Sequence, residues 1–420
     1  MPHRLQRALR TARSVSARRL VALSLVPLCA GVVAVSGQST VAHAGTGTLS
    51  SGTYSNSAGS RTYLTYVPST YHQGTQVPLV VALHGCTETA DVMRQLTALD
   101  NLAEADDFIV VYPQQDSNAN PMSCWNWFQN QHMQRGSGEP SIIAGLTQWA
   151  QSHYSIDPNR TYVLGFSAGG AMADVMGVTY PDLYAAIGIG SGLDYGGSGM
   201  IAPQLTGTQS GQNAHAAMGS YARVVPVITF QGGQDKIVAP SDQTTIVEQW
   251  QTSDNLVQSG SVATSASSTR NGTSAGGVSY TVTDYNGPSG NPLIESWYIP
   301  SMSHAWSGGC SCEQYSDPSG PDETGAMYAF LAGHSLNSSG GTGQPTPPVG
   351  LPTPPVSLPT PPVSVPTPPV SLPTPPVGLP LPPVSLPVPP VSLPGLPGLP
   401  GLQSLIDLLT RILQEITSLF

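Results

Sequence analysis

Residues 162–173 read Tyr162-Val163-Leu164-Gly165-Phe166-Ser167-Ala168-Gly169-Gly170-Ala171-Met172-Ala173. A short apolar run, a Gly-x-Ser-x-Gly pentad and a run of small residues follow one another, which is a strand, a sharp turn and a helix in that order. The pentad needs its glycines because the serine backbone is strained at such a turn, and a side chain on either flank would collide with the adjoining strand or helix. With 45 glycines in 420 residues, the pentad alone is a weak signal. Its position between a β-branched strand and a helix separates a nucleophile-bearing elbow from a plain strand-to-helix turn.

Outward from the elbow, continuous apolar runs predict strands at Leu79–Leu83, Phe108–Tyr112, Tyr162–Gly165, Ala185–Ile189 and Val227–Phe230. Runs without polar alternation belong to strands covered on both faces, the pattern of a parallel sheet. Helical periodicity at Asp91–Ala105, Ile142–His153 and Gly169–Thr179 alternates with them, predicting a doubly wound α/β domain around one core. The polar stretch Ser259–Gly277 reads as a surface excursion before strands at Ser279–Thr283 and Ile294–Ile299, and His334 falls in a terminal helix.

The ends of the chain are compositionally distinct. Residues 1–44 hold six arginines, an apolar stretch from Leu20 to Val35 and then Ala42-His43-Ala44, the pattern of a secretory signal peptide cleaved after Ala44. The apolar stretch is short and broken by Pro27 and Gly31, so a membrane span is the minor reading. Arg18-Arg19 is compatible with twin-arginine export. Without this segment the chain keeps 8 basic and 24 acidic residues, a net charge of −16, which argues against nucleic acid as a partner. Charged residues make up only 9% of the chain, a surface suited to a neutral solid or polymer.

From Pro345 to Leu393 a seven-residue Pro-Thr-Pro-Pro-Val-Gly-Leu-like unit recurs. Its prolines remove backbone donors and fix φ, so residues 337–401 read as a polyproline-II spacer whose seven repeats alone reach about 150 Å when fully extended at ~3.1 Å per residue. Residues 402–420 then place Leu405, Ile406, Leu409, Ile412, Leu413 and Ile416 on one helical face and Gln403, Asp407, Arg411 and Gln414 on the other. That stripe has three outlets: an apolar solid, self-association through a short heptad seam, or the domain spanning 45–336.

With Cys29 in the leader, the remaining cysteines are Cys86, Cys124, Cys310 and Cys312, an even set suited to an oxidising compartment. Three connectivities are open; Cys86 with Cys124 and Cys310 with Cys312 is favoured, the second closing a tight ring. No Cys/His spacing resembles a zinc quartet, and nothing in the sequence requires a metal or cofactor.

A serine hydroxyl is a weak nucleophile near neutral pH, so Ser167 needs a base, and the base needs an acid. In α/β hydrolases the chain order is Ser, acid, His, each on a loop after a strand. Of the histidines after Ser167, His215 precedes the last strand pair and His334 is in the terminal helix. His304 directly follows the strand ending at Ile299 and is the predicted base. Asp235, five residues beyond the Val227–Phe230 strand, is the predicted acid, with Asp194 and Asp242 as rivals. The N–H groups of Cys86 and Ala168 are the predicted oxyanion donors, Cys86 because it follows the Leu79–Leu83 strand in a glycine-bearing turn. His84 reads as structural. Among Trp125, Trp127 and Trp306, the last is expected to face substrate because it lies two residues from the base, and Trp125 is a second candidate.

Six segments in order resemble the extracellular polyhydroxybutyrate depolymerase family: Leu83-His84-Gly85-Cys86-Thr87, Cys124-Trp125-Asn126-Trp127-Phe128, Gly165 to Gly170, Gln231 to Asp235, His304-Ala305-Trp306 and Asp317 to Asp322. The resemblance covers about 45–336 and implies Ser167, Asp235 and His304 as a triad in the type 1 arrangement, with an open crevice for a polyester chain. Gln231 and Gly233 stand where the family usually has histidine and threonine. The family's folded substrate-binding domain is replaced by the proline repeat and terminal helix.

The sequence therefore predicts a secreted serine esterase for an insoluble polyester. Feruloyl and acetylxylan esterases belong to the same family, so a polysaccharide ester is the alternative substrate. A surface adhesion protein with an idle hydrolase domain is the non-enzymatic reading.

Overall fold

Every residue of Val77–Leu83 is buried, because this strand, β3, runs through the middle of a sheet covered on both faces. Leu79, Val81 and Leu83 point into one apolar layer and Val80 and Ala82 into the other, the period-two alternation of a pleated strand. The structure, a computed structural model, describes residues 47–197 and 205–337. The expected signal segment, the proline repeat and the 402–420 helix lie outside the described residues.

In chain order the remaining strands are β1 (Thr48–Asn56), β2 (Gly59–Val67), β4 (Ile109–Pro113), β5 (Ile156–Phe166), β6 (Ala186–Gly190), β7 (Val227–Gly232), β8 (Ser268–Thr273), β9 (Ser279–Asn286) and β10 (Pro292–Ile299), with a small pair β11 (Trp306–Ser307) and β12 (Ser316–Asp317). The ten-stranded sheet has the order β1-β2-β4-β3-β5-β6-β7-β10-β9-β8. Its six central strands are mutually parallel, and antiparallel pairs close both edges.

Seven helices are described: α1 (Ala90–Thr97), α2 (Leu99–Asp106), α3 (Gly138–His153), α4 (Ala168–Thr179), α5 (Gly207–Met218), α6 (Pro240–Val257) and α7 (Glu323–Ala332). Helices α3 to α6 pack on one face of the sheet through residues such as Ile143, Met172, Met218 and Trp250. Helices α1, α2 and α7 pack on the other through Met93, Leu99 and Leu331. The single core expected from the sequence is thus two apolar layers with the sheet between them.

Three other expectations need correction. The helix predicted over Asp91–Ala105 is two helices, broken at Ala98, whose left-handed backbone (φ 50°) ends α1. The Ser259–Gly277 excursion contains an edge strand, β8, and buries Ser261 and Val262. His334 lies beyond the last helix, which stops at Ala332.

Candidate active site

Strand β5 ends at Phe166 and α4 begins at Ala168, leaving Ser167 alone at the turn with φ 55° and ψ −120°. That backbone is strained for a residue with a Cβ, and it is maintained by close packing around it. A Cβ on Gly165 would lie 2.2 Å from Gly169 O, and one on Gly169 would lie 2.0 Å from Leu83 O. The elbow is therefore pressed against the end of β3, the strand that carries the His84-Gly85-Cys86 turn. The Ser167 N–H donates to Gly190 O at 2.8 Å, fixing the elbow to β6 as well.

His304 and Asp235 meet because β10 and β7 are parallel neighbours in register, with Ile299 opposite Gly232. Beyond the strand ends the two loops remain joined: Gly233 N donates to Ile299 O and Gln234 N to Met302 O, both at 2.8 Å. His304 Nδ1 lies 2.7 Å from Asp235 Oδ2, and both side chains are buried. Asp235 Oδ1 accepts from Ile237 N and Val238 N at 2.8 and 2.9 Å, while Oδ2 also accepts from Gln231 Nε2 at 3.1 Å. With the carboxylate filled by donors, His304 carries its proton on Nδ1 and presents Nε2 as an acceptor. Gln231, a departure from the family pattern, thus supports the carboxylate beside it. The rivals Asp194 and Asp242 are buried and bond to neither His304 nor Ser167.

The His304 ring packs on Phe166 at 4.9 Å, beside the serine. Ser167 Oγ makes no hydrogen bond to His304 among the described residues; bonds of this kind tighten when substrate binds. The Ala168 N–H opens α4, where the helix dipole favours a developing anion. The Cys86 N–H projects from the turn after β3, and neither group donates to another backbone acceptor among the described residues.

The structure overturns the two predicted substrate-facing tryptophans. Trp306 and Trp125 are both 0% exposed. Trp306 Nε1 donates to Thr324 Oγ1 of α7 at 2.9 Å, and Trp125 Nε1 donates to His84 O at 3.1 Å, so both indoles are satisfied inside the fold. Sequence proximity to the base misled because β11 turns Trp306 toward α7. Besides the buried Phe166, the aromatic group beside His304 is the half-buried Tyr315, whose ring lies edge-on at 5.8 Å. No motif announced it. The Asp317–Asp322 segment is a scaffold: Gly320 N closes a turn onto Asp317 O, Ser307 Oγ donates to Pro321 O, and Asp322 caps α7.

Cys86 is bonded to Cys124, and Cys310 to Cys312. The first bridge ties the turn after β3 to the Cys124–Phe128 segment, which the buried Glu139 holds through Asn126 N and Nδ2, both at 2.7 Å. Gln115 connects the same carboxylate to the turn: its Nε2 donates to Glu139 Oε1 at 2.6 Å and its N–H to His84 Nε2 at 3.0 Å.

His84 Nε2 is thus an acceptor while Nδ1 lies 2.7 Å from Gly85 O, which defines a neutral ring; burial lowers its pKa to about 4. The unfolded chain therefore takes up this proton near pH 6.5 and the folded chain only near pH 4, so the stability due to a neutral His84 is lost as pH falls through that window. Glu88 works in the opposite direction. Burial, then the charge of Glu313, pushes its carboxyl up to about 7 against the Gly85 hydrogen bond that lowers it, so its contribution is lost as pH rises toward 7. Because the two offset each other, His84 is isolated by difference: relative to wild type, His84→Gln is expected to be destabilised by about 3 kcal/mol less at pH 4 than at pH 7. Urea titrations of both proteins measure this, and a difference that does not change with pH would refute a neutral His84.

With this geometry in place, comparison with known proteins gives a consistent answer. Residues 61–274 match the family model described as Esterase PHB depolymerase. The chain is 35% identical over 237 residues to poly(3-hydroxyalkanoate) depolymerase C of Paucimonas lemoignei, covering 54% of each chain. It is 33% identical over 187 residues to a probable acetylxylan esterase A of Aspergillus fumigatus, covering 44% of this chain and 47% of the relative. The chain thus spans about half the length of these curated relatives. The solved acetyl xylan esterase of Aspergillus awamori shares the fold, with a TM-score of 0.51 at 22% identity over 61% of this chain and 94% of that one.

Proposed function

The chain belongs to the esterase PHB depolymerase family, and from that membership we propose that it is a secreted serine esterase that hydrolyses short-chain polyhydroxyalkanoate, in particular poly(3-hydroxybutyrate). The supporting observation is the strained serine at the turn after β5, beside a histidine on the loop after β10 whose Nδ1 is held 2.7 Å from an aspartate on the loop after β7. In the proposed cycle His304 Nε2 takes the Ser167 proton as Oγ attacks the ester carbonyl. The resulting oxyanion is held by the N–H groups of Cys86 and Ala168. Collapse expels the alcohol, which receives the proton from His304, and leaves an acyl-enzyme. Water, deprotonated by the same imidazole, then releases the acid. Asp235 orients the ring and stabilises its charged form.

In this reading residues 45–336 carry catalysis, 337–401 act as a spacer and 402–420 supply an apolar stripe. The leader and the two disulfides support secretion. Similarity to a probable acetylxylan esterase and to a feruloyl esterase supports acetyl or feruloyl esters of plant polysaccharide as the second reading. Side-by-side assays separate the two: clearing of a poly(3-hydroxybutyrate) suspension is expected, at a rate well above release of acetate from acetylated xylan or ferulate from arabinoxylan. The reverse order of rates would transfer the assignment to the polysaccharide.

A further inference from the structure

Glu88 is absent from every motif that points to the catalytic site, yet its side chain is 5% exposed and directed at the backbone of the predicted oxyanion turn. Its Oε2 accepts from Gly85 N at 2.7 Å, and its own N–H donates to Gly85 O at 3.4 Å. The same Gly85 oxygen lies 2.7 Å from His84 Nδ1. Glu88 therefore grips the peptide unit before Gly85 through its carboxylate and the one after it through its main chain.

The second peptide unit is the consequential one. A trans peptide is planar and its N–H points opposite to its C=O. Fixing Gly85 O therefore fixes the direction of the Cys86 N–H, the proposed oxyanion donor. Glycine has two freely accessible dihedrals, so without restraints on both sides of Gly85 that donor would swing. The fit is close, since a Cβ on Gly85 would lie 3.0 Å from Glu88 Oε2 and 3.3 Å from Phe166 Cδ1. The Cys86–Cys124 bridge anchors the far side of the turn, and Thr87 N donates to Met122 O. On the near side, the carboxylate is the side chain that holds the Gly85 N–H.

We propose that Glu88 is a positioning residue for ester hydrolysis, its side-chain oxygen holding the Gly85 amide so that the Cys86 N–H is aimed at the oxyanion before substrate arrives. The proposal rests on the reading of Ser167 as nucleophile and Cys86 as oxyanion donor. Its chemistry requires an acceptor at the end of a three-carbon arm, with no requirement for a negative charge.

The test uses the full chain and a soluble p-nitrophenyl ester. Glu88→Met keeps the length and removes the acceptor; it is expected to lower kcat about 10- to 100-fold with KM within about twofold, because a misaimed donor is felt in the transition state. Affinity for a boronic acid that mimics the tetrahedral adduct is expected to fall with it. Glu88→Gln restores an acceptor at the same reach and is expected to stay within about threefold of wild type. Should Glu88→Met not fold, Glu88→Asp decides: its oxygen falls one methylene short of Gly85, and kcat is expected to drop by at least tenfold. A Glu88→Met or Glu88→Asp enzyme with unchanged kcat overturns the proposal, as does Glu88→Gln being as impaired as Glu88→Met. Ser167→Ala, run in parallel, separates the two levels. If it is inactive while Glu88→Met is normal, only the role of Glu88 fails; if it is fully active, the reading of the site fails with it.

Discussion

Replacing Ser167 with Ala is expected to lower kcat for ester hydrolysis by about 10⁵- to 10⁶-fold, the scale seen when the nucleophile of a serine triad is removed. The substitution is unusually clean at this position. Alanine keeps a Cβ, so the strained φ of 55° and ψ of −120° are carried over unchanged, and only the Oγ atom is lost. Gly165, Gly169 and the Ser167 N–H bond to Gly190 O all act on the backbone, which leaves the elbow geometry and the thermal midpoint close to wild type. Hydrolysis of a p-nitrophenyl ester gives the rate, and mass spectrometry after fluorophosphonate treatment gives the chemistry, with one phosphonyl group on wild type and none on the variant. More than about 1% residual kcat, after exclusion of contaminating esterase, would remove Ser167 from the reaction.

The parts of this molecule that are legible in sequence are those where burial is symmetrical. Strands β3, β4 and β6, the Tyr162–Phe166 half of β5 and the Val227–Phe230 part of β7 are covered on both faces, so their sequences are almost wholly apolar runs. The outer strand β1 is largely exposed and reads Thr48-Leu49-Ser50-Ser51-Gly52, with no pattern that separates it from a loop. Strand β8 has no aliphatic or aromatic residue at all; pairing with β9 makes it a strand. The break at Ala98 was hidden for the opposite reason, because Met93, Leu96, Leu99 and Ala103 keep a helical apolar spacing straight across it. At the site, chain order led to His304 and Asp235 because each follows a parallel strand and parallel strands deliver their C-terminal ends to one edge. The supporting groups gave no comparable signal. Gln231 on β7, Glu88 in the turn after β3 and Tyr315 just before β12 make their contacts from three separate parts of the chain, and spacing along the chain carries no information about such contacts. Trp306 shows the converse, since a large aromatic two residues from His304 in sequence resembles a binding face while its indole N–H is satisfied inside the fold.

Asp235→Asn is expected to cost about 10⁴-fold in kcat with little change in KM, the loss that follows when a triad histidine is left in the wrong tautomer. The argument turns on which end of the amide goes where. Asp235 Oδ1 accepts two backbone N–H groups, from Ile237 and Val238, at 2.8 and 2.9 Å. An asparagine keeps its oxygen there, since turning it round would set an NH₂ against two donors. The nitrogen must then occupy the Oδ2 position, facing His304 Nδ1 and Gln231 Nε2 at 2.7 and 3.1 Å. His304 Nδ1 can meet that NH₂ only as an acceptor, which moves the ring proton to Nε2, the atom that must receive the proton of Ser167. The base is thereby blocked while the packing on Phe166 keeps the ring in place. Initial rates on a soluble ester at a fixed pH, fitted for kcat and KM, measure the loss. Asp242→Asn provides the contrast: its carboxyl is pushed up to about 6, chiefly by burial, and bonds to no part of the proposed triad, so kcat should stay within a few-fold. A loss below tenfold at Asp235, or a larger one at Asp242, would place the orienting acid elsewhere.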